Sequence, residues 1–133
     1  MQTSSSRLLF VDDELGIHDL VDELLEELML DISHALTGEE GLKIIKGSRV
    51  FSVVISDYNL GNGITGGDFL RFVKEYTPRT SRILVTGGIE KDDLVKMVSH
   101  GHIDGFAIKP FQVCDLITEV KQGLKAHETY SIP

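Results

Sequence analysis

Short apolar runs alternate along the chain with segments of helical period. Leu8, Leu9, Phe10 and Val11 form a continuous run of strand length. After it, Ile17, Leu20, Val21, Leu24, Leu25 and Leu28 recur at intervals of three and four, which predicts one face of a helix with Asp19, Asp22, Glu23 and Glu26 turned outward. A weaker strand over residues 32–36 precedes Thr37, Gly38, Glu39 and Glu40, where Thr37 and Glu40 match a capping box that opens a helix running through Ile45. Val53, Val54, Ile55 and Ser56 predict a third strand. Beyond a glycine-rich loop, Phe69, Leu70 and Val73 predict a third helix, which Thr77 and Pro78 end because proline disfavours a helical residue before it. Residues 83–86 predict the fourth strand. Residues 92–99, with Leu94, Val95 and Val98, predict the fourth helix, residues 106–108 the fifth strand, and Leu116, Ile117, Val120 and Leu124 the last helix.

Strands of unbroken apolar character separated by amphipathic helices predict an α/β fold, one doubly wound parallel sheet of five strands covered by helices on both faces. A length of 133 residues, 41% hydrophobic and 26% charged, fits one globular domain over 1–133 with its core from about 7 to 126. Such a chain buries roughly two thirds of its unfolded surface and can hold its own core. The polar ends are expected to fray.

The net charge of −8 opposes contact with phosphate backbones and anionic lipid, so no direct nucleic-acid or membrane partner is expected. The lone cysteine, Cys114, cannot pair within the chain and reads as a small apolar helix residue, which favours a reducing compartment. Residues 1–6 lack the basic start and apolar run of a signal peptide, and no run approaches the roughly 18 apolar residues of a membrane span. A cytoplasmic location is the expectation.

In open parallel sheets, sites form at the carboxyl ends of the strands. Strand 1 ends in Asp12, Asp13 and Glu14, strand 3 in Asp57, strand 4 in Thr86, Gly87 and Gly88, and strand 5 in Lys109 and Pro110. Each has an ordinary structural reading alone, as a helix cap, a β-branched strand residue or a turn. Together, the carboxylates on neighbouring strand ends repel by about 4 kcal/mol per pair at a separation near 4 Å and an effective dielectric of about 20. A divalent cation with oxygen ligands would offset that repulsion, and Mg2+, which takes one or two carboxylates plus water and phosphate, suits the cluster better than Ca2+. Lys109 would supply a second positive charge.

These residues resemble the receiver domain of two-component response regulators. The likeness runs from Leu8 to about Ala126 and includes Asp12 and Asp13, Asp57, Thr86, Phe106, and Lys109 with Pro110 and Phe111. The resemblance implies a flavodoxin-like sheet of strand order 2-1-3-4-5 with five helices. It implies that Asp57 is the phosphoacceptor, taking a phosphoryl group from a histidine kinase or phosphotransfer protein. It further implies Mg2+ ligation by Asp13, Asp57 and the carbonyl of Asn59, with Asp12 acting through water, and phosphoryl-oxygen contacts from Thr86 and Lys109. Thr86 and Phe106 would report modification to the face made by helix 4, strand 5 and helix 5, where a downstream protein docks. Phe106 also reads as an ordinary core phenylalanine. Side chains at Asn59 and Gly88 would tune the phosphorylated lifetime, and the peptide between Lys109 and Pro110 would be cis.

The chain departs from the family where residues 60–67 replace a usual proline by glycine and run one residue longer, which predicts a looser loop. The same stretch spells G-x-G-x-x-G from Gly61 through Gly63 to Gly66, but its first glycine lies too far past the strand for a dinucleotide site, and the neighbouring carboxylates would repel a pyrophosphate. His100 and His102 lack a second ligand pair for zinc and read as solvated loop residues, with His18, His34 and His127 scattered elsewhere. A small metal-dependent phosphohydrolase with an aspartyl nucleophile is the alternative function, although no insertion is long enough for a substrate cap. A flavodoxin-like cofactor carrier would want hydroxyls rather than acids after strand 1. The chain ends just past the last helix, so output is expected through protein contacts, or the chain is a piece of a longer one. The expected role is a signalling phosphoacceptor rather than an enzyme.

Overall fold

The computed structural model describes residues 6–47, 50–87, 91–109 and 113–131. The elements in chain order are β1 (Arg7–Val11), α1 (Leu15–Leu24), β2 (Asp31–Ala35), α2 (Gly38–Gly47), β3 (Val53–Asp57), α3 (Gly66–Tyr76), β4 (Ser81–Thr86), α4 (Lys91–Ser99), β5 (Gly105–Ile108) and α5 (Val113–Ser131). All strand pairs are parallel and the order is β2-β1-β3-β4-β5. The expected sheet is therefore the observed one.

Alternation along the strands sorts side chains to two cores. Leu9, Val11, Val54 and Leu84 pack with Phe69, Leu70 and Val73 of α3 and Leu94 of α4 on one face. Leu8, Phe10, Val53, Ile55, Ile83 and Val85 pack with Val21 and Leu25 beside α1 and with Leu116 and Val120 of α5 on the other. Burial on both faces explains why the central strands read as unbroken apolar runs instead of alternating ones.

Two helical stripes fall differently from the sequence pattern. In α1 the inward face carries His18 and Val21, and Leu20 is left 42% exposed. The helix also stops at Leu24, passes through a 3-10 turn at Glu26–Leu28 and turns out at Met29, whose φ is 55°. Among the described side chains of α4 only Leu94 is fully buried, with Met97 half-buried, while Val95 and Val98 face outward. Apolar residues on more than one side of these helices leave their phase ambiguous until the sheet supplies the contact. The capping box at the start of α2 forms with a shift. The Glu40 N–H donates to Thr37 Oγ1 at 3.0 Å, and the Glu40 carboxylate accepts from the Leu36 N–H at 2.7 Å.

Candidate functional site

The parallel sheet brings the ends of β1, β3 and β5 to one rim. Asp12 is fully buried there, Asp57 nearly so, and Asp13 stands exposed beside them. One carboxylate oxygen from each of the three lies within 4.8 Å of the others. Lys109, one residue past β5, reaches between them. Its Nζ donates to Asp57 Oδ2 at 3.2 Å and to Asp12 Oδ2 at 3.4 Å.

Asp12 is held on every side. Its N–H donates to the Ala35 carbonyl at 3.2 Å, and its Oδ1 accepts from the Glu14 N–H at 2.9 Å. Burial pushes the Asp57 carboxyl above the usual aspartate range. The Lys109 ammonium pulls it back, the Asp12 carboxylate pushes it further up, and the Asn59 backbone N–H lowers it as a donor. For Lys109, burial disfavours the charged form, but the Asp12 and Asp57 carboxylates outweigh it and leave its ammonium above the ordinary range. The site is thus a nearly buried carboxylate, a cation that pairs with it, and an exposed acid on the solvent side.

Three carboxylate oxygens this close together are hard donors of the kind that could hold a metal ion. Asn59 meets the Asp57 carboxylate through its backbone N–H, whereas the expectation concerned its carbonyl.

Thr86 closes β4, is almost fully buried, and its carbonyl accepts the Lys109 N–H at 2.8 Å. Phe106 pairs with Leu84 across β4 and β5 and is half-buried against the core under α3 and α4. Sequence reasoning missed a polar neighbour of Phe106: the Glu119 carboxylate of α5 accepts the Phe106 N–H. Gly88, Pro110 and Phe111 lie outside the described residues, as does the side chain of Cys114.

The glycine loop after Asp57 is anchored at three places. Leu60 enters the core, the Ile64 N–H donates to Glu39 Oε2 at 3.1 Å, and the Gly66 N–H donates to the Tyr58 carbonyl at 2.7 Å. Gly61 and Gly63 adopt φ of 74° and 102°, which is why glycine recurs there. His100 and His102 sit on the α4–β5 loop with ring centroids 5.8 Å apart, His100 exposed and His102 half-buried. His18 and His34 are not scattered: their rings meet, with Nδ1 atoms 2.6 Å apart.

The response regulator receiver domain family matches residues 8–121, and the chain belongs to that family. It is 27% identical to the hydrogenase transcriptional regulatory protein HoxA of Cupriavidus necator over 95% of this chain and 26% of that protein. It is 30% identical to the uncharacterized transcriptional regulatory protein YcbL of Bacillus subtilis over 92% of this chain and 53% of that protein. The chain therefore spans about half or less of these relatives. A CheY-like response regulator receiver domain protein of Methanospirillum hungatei has a similar structure, with a TM-score of 0.85, 26% identity, and coverage of 96% of this chain and all of that one. The chain is thus a receiver of the two-component type, a family of signalling phosphoacceptors that interact with histidine kinases and downstream effectors. Among the described residues no helix is long and apolar enough to cross a membrane.

Proposed function

We propose that this chain is a single cytoplasmic receiver switched by phosphorylation of Asp57, which accepts the phosphoryl group of a histidine kinase or phosphotransfer protein. The observation that carries this reading is Lys109 Nζ, 3.2 Å from Asp57 and 3.4 Å from Asp12, with exposed Asp13 completing the acidic cluster. A carboxylate oxygen of Asp57 attacks phosphorus, the new O–P bond forms as the N–P bond of the phosphohistidine breaks, and the bond pair returns to the imidazole nitrogen. Asp13, Asp57 and the Asn59 carbonyl would hold Mg2+, with Asp12 acting through water. The bound ion would supply positive charge against the phosphoryl oxygens. Lys109 neutralises the same developing charge, and the Thr86 hydroxyl turns toward the modified carboxylate.

That turn leaves room for Phe106 to change its packing, so the signal reaches the face of α4, β5 and α5, where a protein target docks. We assign no nucleic-acid contact to this chain, because its net charge of −8 repels phosphate. Intact-mass analysis after incubation with acetyl phosphate and Mg2+ tests the reading. One added phosphoryl group is expected on the wild type and none on Asp57→Asn, and label retained in that variant overturns the assignment. Continuous release of phosphate from a generic phosphomonoester would instead favour a phosphohydrolase.

A further inference from the structure

A chain of hydrogen bonds leads from the surface to the backbone of the acidic pair. Asp22 Oδ1, on the outer side of α1, lies 2.9 Å from His34 Nε2 on the edge strand β2. His34 Nδ1 lies 2.6 Å from His18 Nδ1, and His18 Nε2 lies 2.8 Å from the carbonyl oxygen of Asp12. His18 is 7% exposed, and its ring edge packs on Phe10 at a centroid distance of 4.9 Å.

Donor counting orders this chain. A carbonyl oxygen only accepts, so His18 Nε2 carries a proton and donates to Asp12. The Asp22 carboxylate accepts, so His34 Nε2 is a donor as well. One proton between the two Nδ1 atoms joins the rings, and each bond in the series then has one donor and one acceptor.

The end of the chain matters because the Asp12 carbonyl belongs to the peptide plane that carries the Asp13 N–H. Fixing that plane sets the direction in which Asp13 leaves the backbone. The other polar atoms of Asp12 are already engaged by Ala35, Glu14 and Lys109. Among the described residues, the His18 bond is the contact that engages the plane between the two acids. We infer that His18 is a positioning residue for the acidic pair, oriented by His34 and Asp22 and acting on Asp13 through the Asp12 carbonyl. The inference rests on the cation-binding, phosphoaccepting reading of the site. It ties β1, α1 and the edge strand β2 to one peptide plane.

Three measurements at one fixed pH test it. In the metal-free protein, imidazole 15N spectra are expected to show a proton at Nε2 of both His18 and His34; a His18 whose Nε2 carries no proton overturns the chain, and this readout needs no variant. Magnesium titration followed by amide shifts is expected to give His18→Leu a dissociation constant weaker on the order of tenfold, the low end for losing an outer hydrogen-bond partner of a metal ligand. His18→Gln keeps a donor toward Asp12 and is expected to recover most of that loss, while the metal-free unfolding midpoints of the two variants stay close. His18→Gln binding as weakly as His18→Leu would mean that ring shape matters and not the donor, and overturns the inference. Wild-type affinity in His18→Leu overturns it too. A wild type that neither binds Mg2+ nor gains a phosphoryl group overturns the reading of the site itself and the inference with it.

Discussion

Gly66 rests directly on the carbonyl oxygen of Asp57, so that a side chain at the first residue of α3 would occupy the backbone of Asp57. The helix is drawn that close by the Gly66 N–H donating to the Tyr58 carbonyl at 2.7 Å. Gly66→Ala is expected to destabilise the fold by about 1–3 kcal/mol, the usual range for forcing atoms into packed space, and to slow phosphorylation by displacing Asp57. Gly16 in α1 has nothing within 4 Å of where its Cβ would stand. Gly16→Ala is therefore expected to stabilise by up to about 1 kcal/mol through helix propensity alone. Chemical denaturation of both variants checks the opposite signs.

The sheet and its acidic rim were legible because both follow from local pattern. Strands buried on two faces read as apolar runs, and a parallel order brings the ends of those runs to one edge, so Asp12, Asp13, Asp57 and Lys109 could be grouped before any coordinates. What stayed hidden depends on contacts between distant segments. His18 and His34 meet only because the register sets Phe10 against His34 and because α1 turns His18, not Leu20, toward the sheet. Nothing in the residues around Gly66 distinguishes it from the loop glycines before it, since its role is set by the approach of another backbone. Glu119 and Arg82 look like solvated charges in sequence, yet one accepts the N–H of Phe106 and the other is 5% exposed.

The raised carboxyl of Asp57 predicts a stability effect with a definite sign. Burial and the Asp12 carboxylate disfavour its charge by more than Lys109 and the Asn59 N–H restore. A carboxyl raised in the folded state contributes stability that is full below its unfolded value and is lost as pH rises through the folded value. Metal-free Asp57→Asn is therefore expected to melt above wild type at pH 7. The advantage is expected to shrink on acidification and to vanish once pH falls below the ordinary aspartate range. Melting curves with a chelator at several pH values decide this, and a less stable variant at pH 7 contradicts it.

Under the proposed function, Lys109 would oppose Mg2+ and assist the phosphoryl transfer at the same place. Its ammonium sits within 3.4 Å of two carboxylates that would face the ion, so Lys109→Met is expected to tighten Mg2+ binding by removing a like charge. The same change would remove the donor proposed to meet the transferring phosphoryl group, and the rate of phosphorylation from acetyl phosphate is expected to fall about 100-fold. Metal titration and a mass time course on one preparation separate the two effects. Loss of both affinity and rate would point to a collapsed site.

Arg82 lies at the other end of the sheet, where stability can be changed apart from the chemistry. Its guanidinium donates to the carbonyls of His102 at 3.1 Å, Thr80 at 3.0 Å and Gly101 at 3.2 Å, and pairs with Asp104 at 3.6 Å. Arg82→Ala leaves those carbonyls and Asp104 without their buried cation and is expected to destabilise by about 3–5 kcal/mol. Arg82→Lys keeps the charge but not the planar fork that reaches several carbonyls at once, so it is expected to recover only part of the loss. The site lies at the opposite ends of the strands, so whatever fraction of either variant stays folded is expected to bind Mg2+ and take up phosphoryl groups as wild type does. Denaturation midpoints read together with a low-temperature magnesium titration test this separation. Weakened metal binding in the folded variant would show that the two rims of the sheet are coupled through β4.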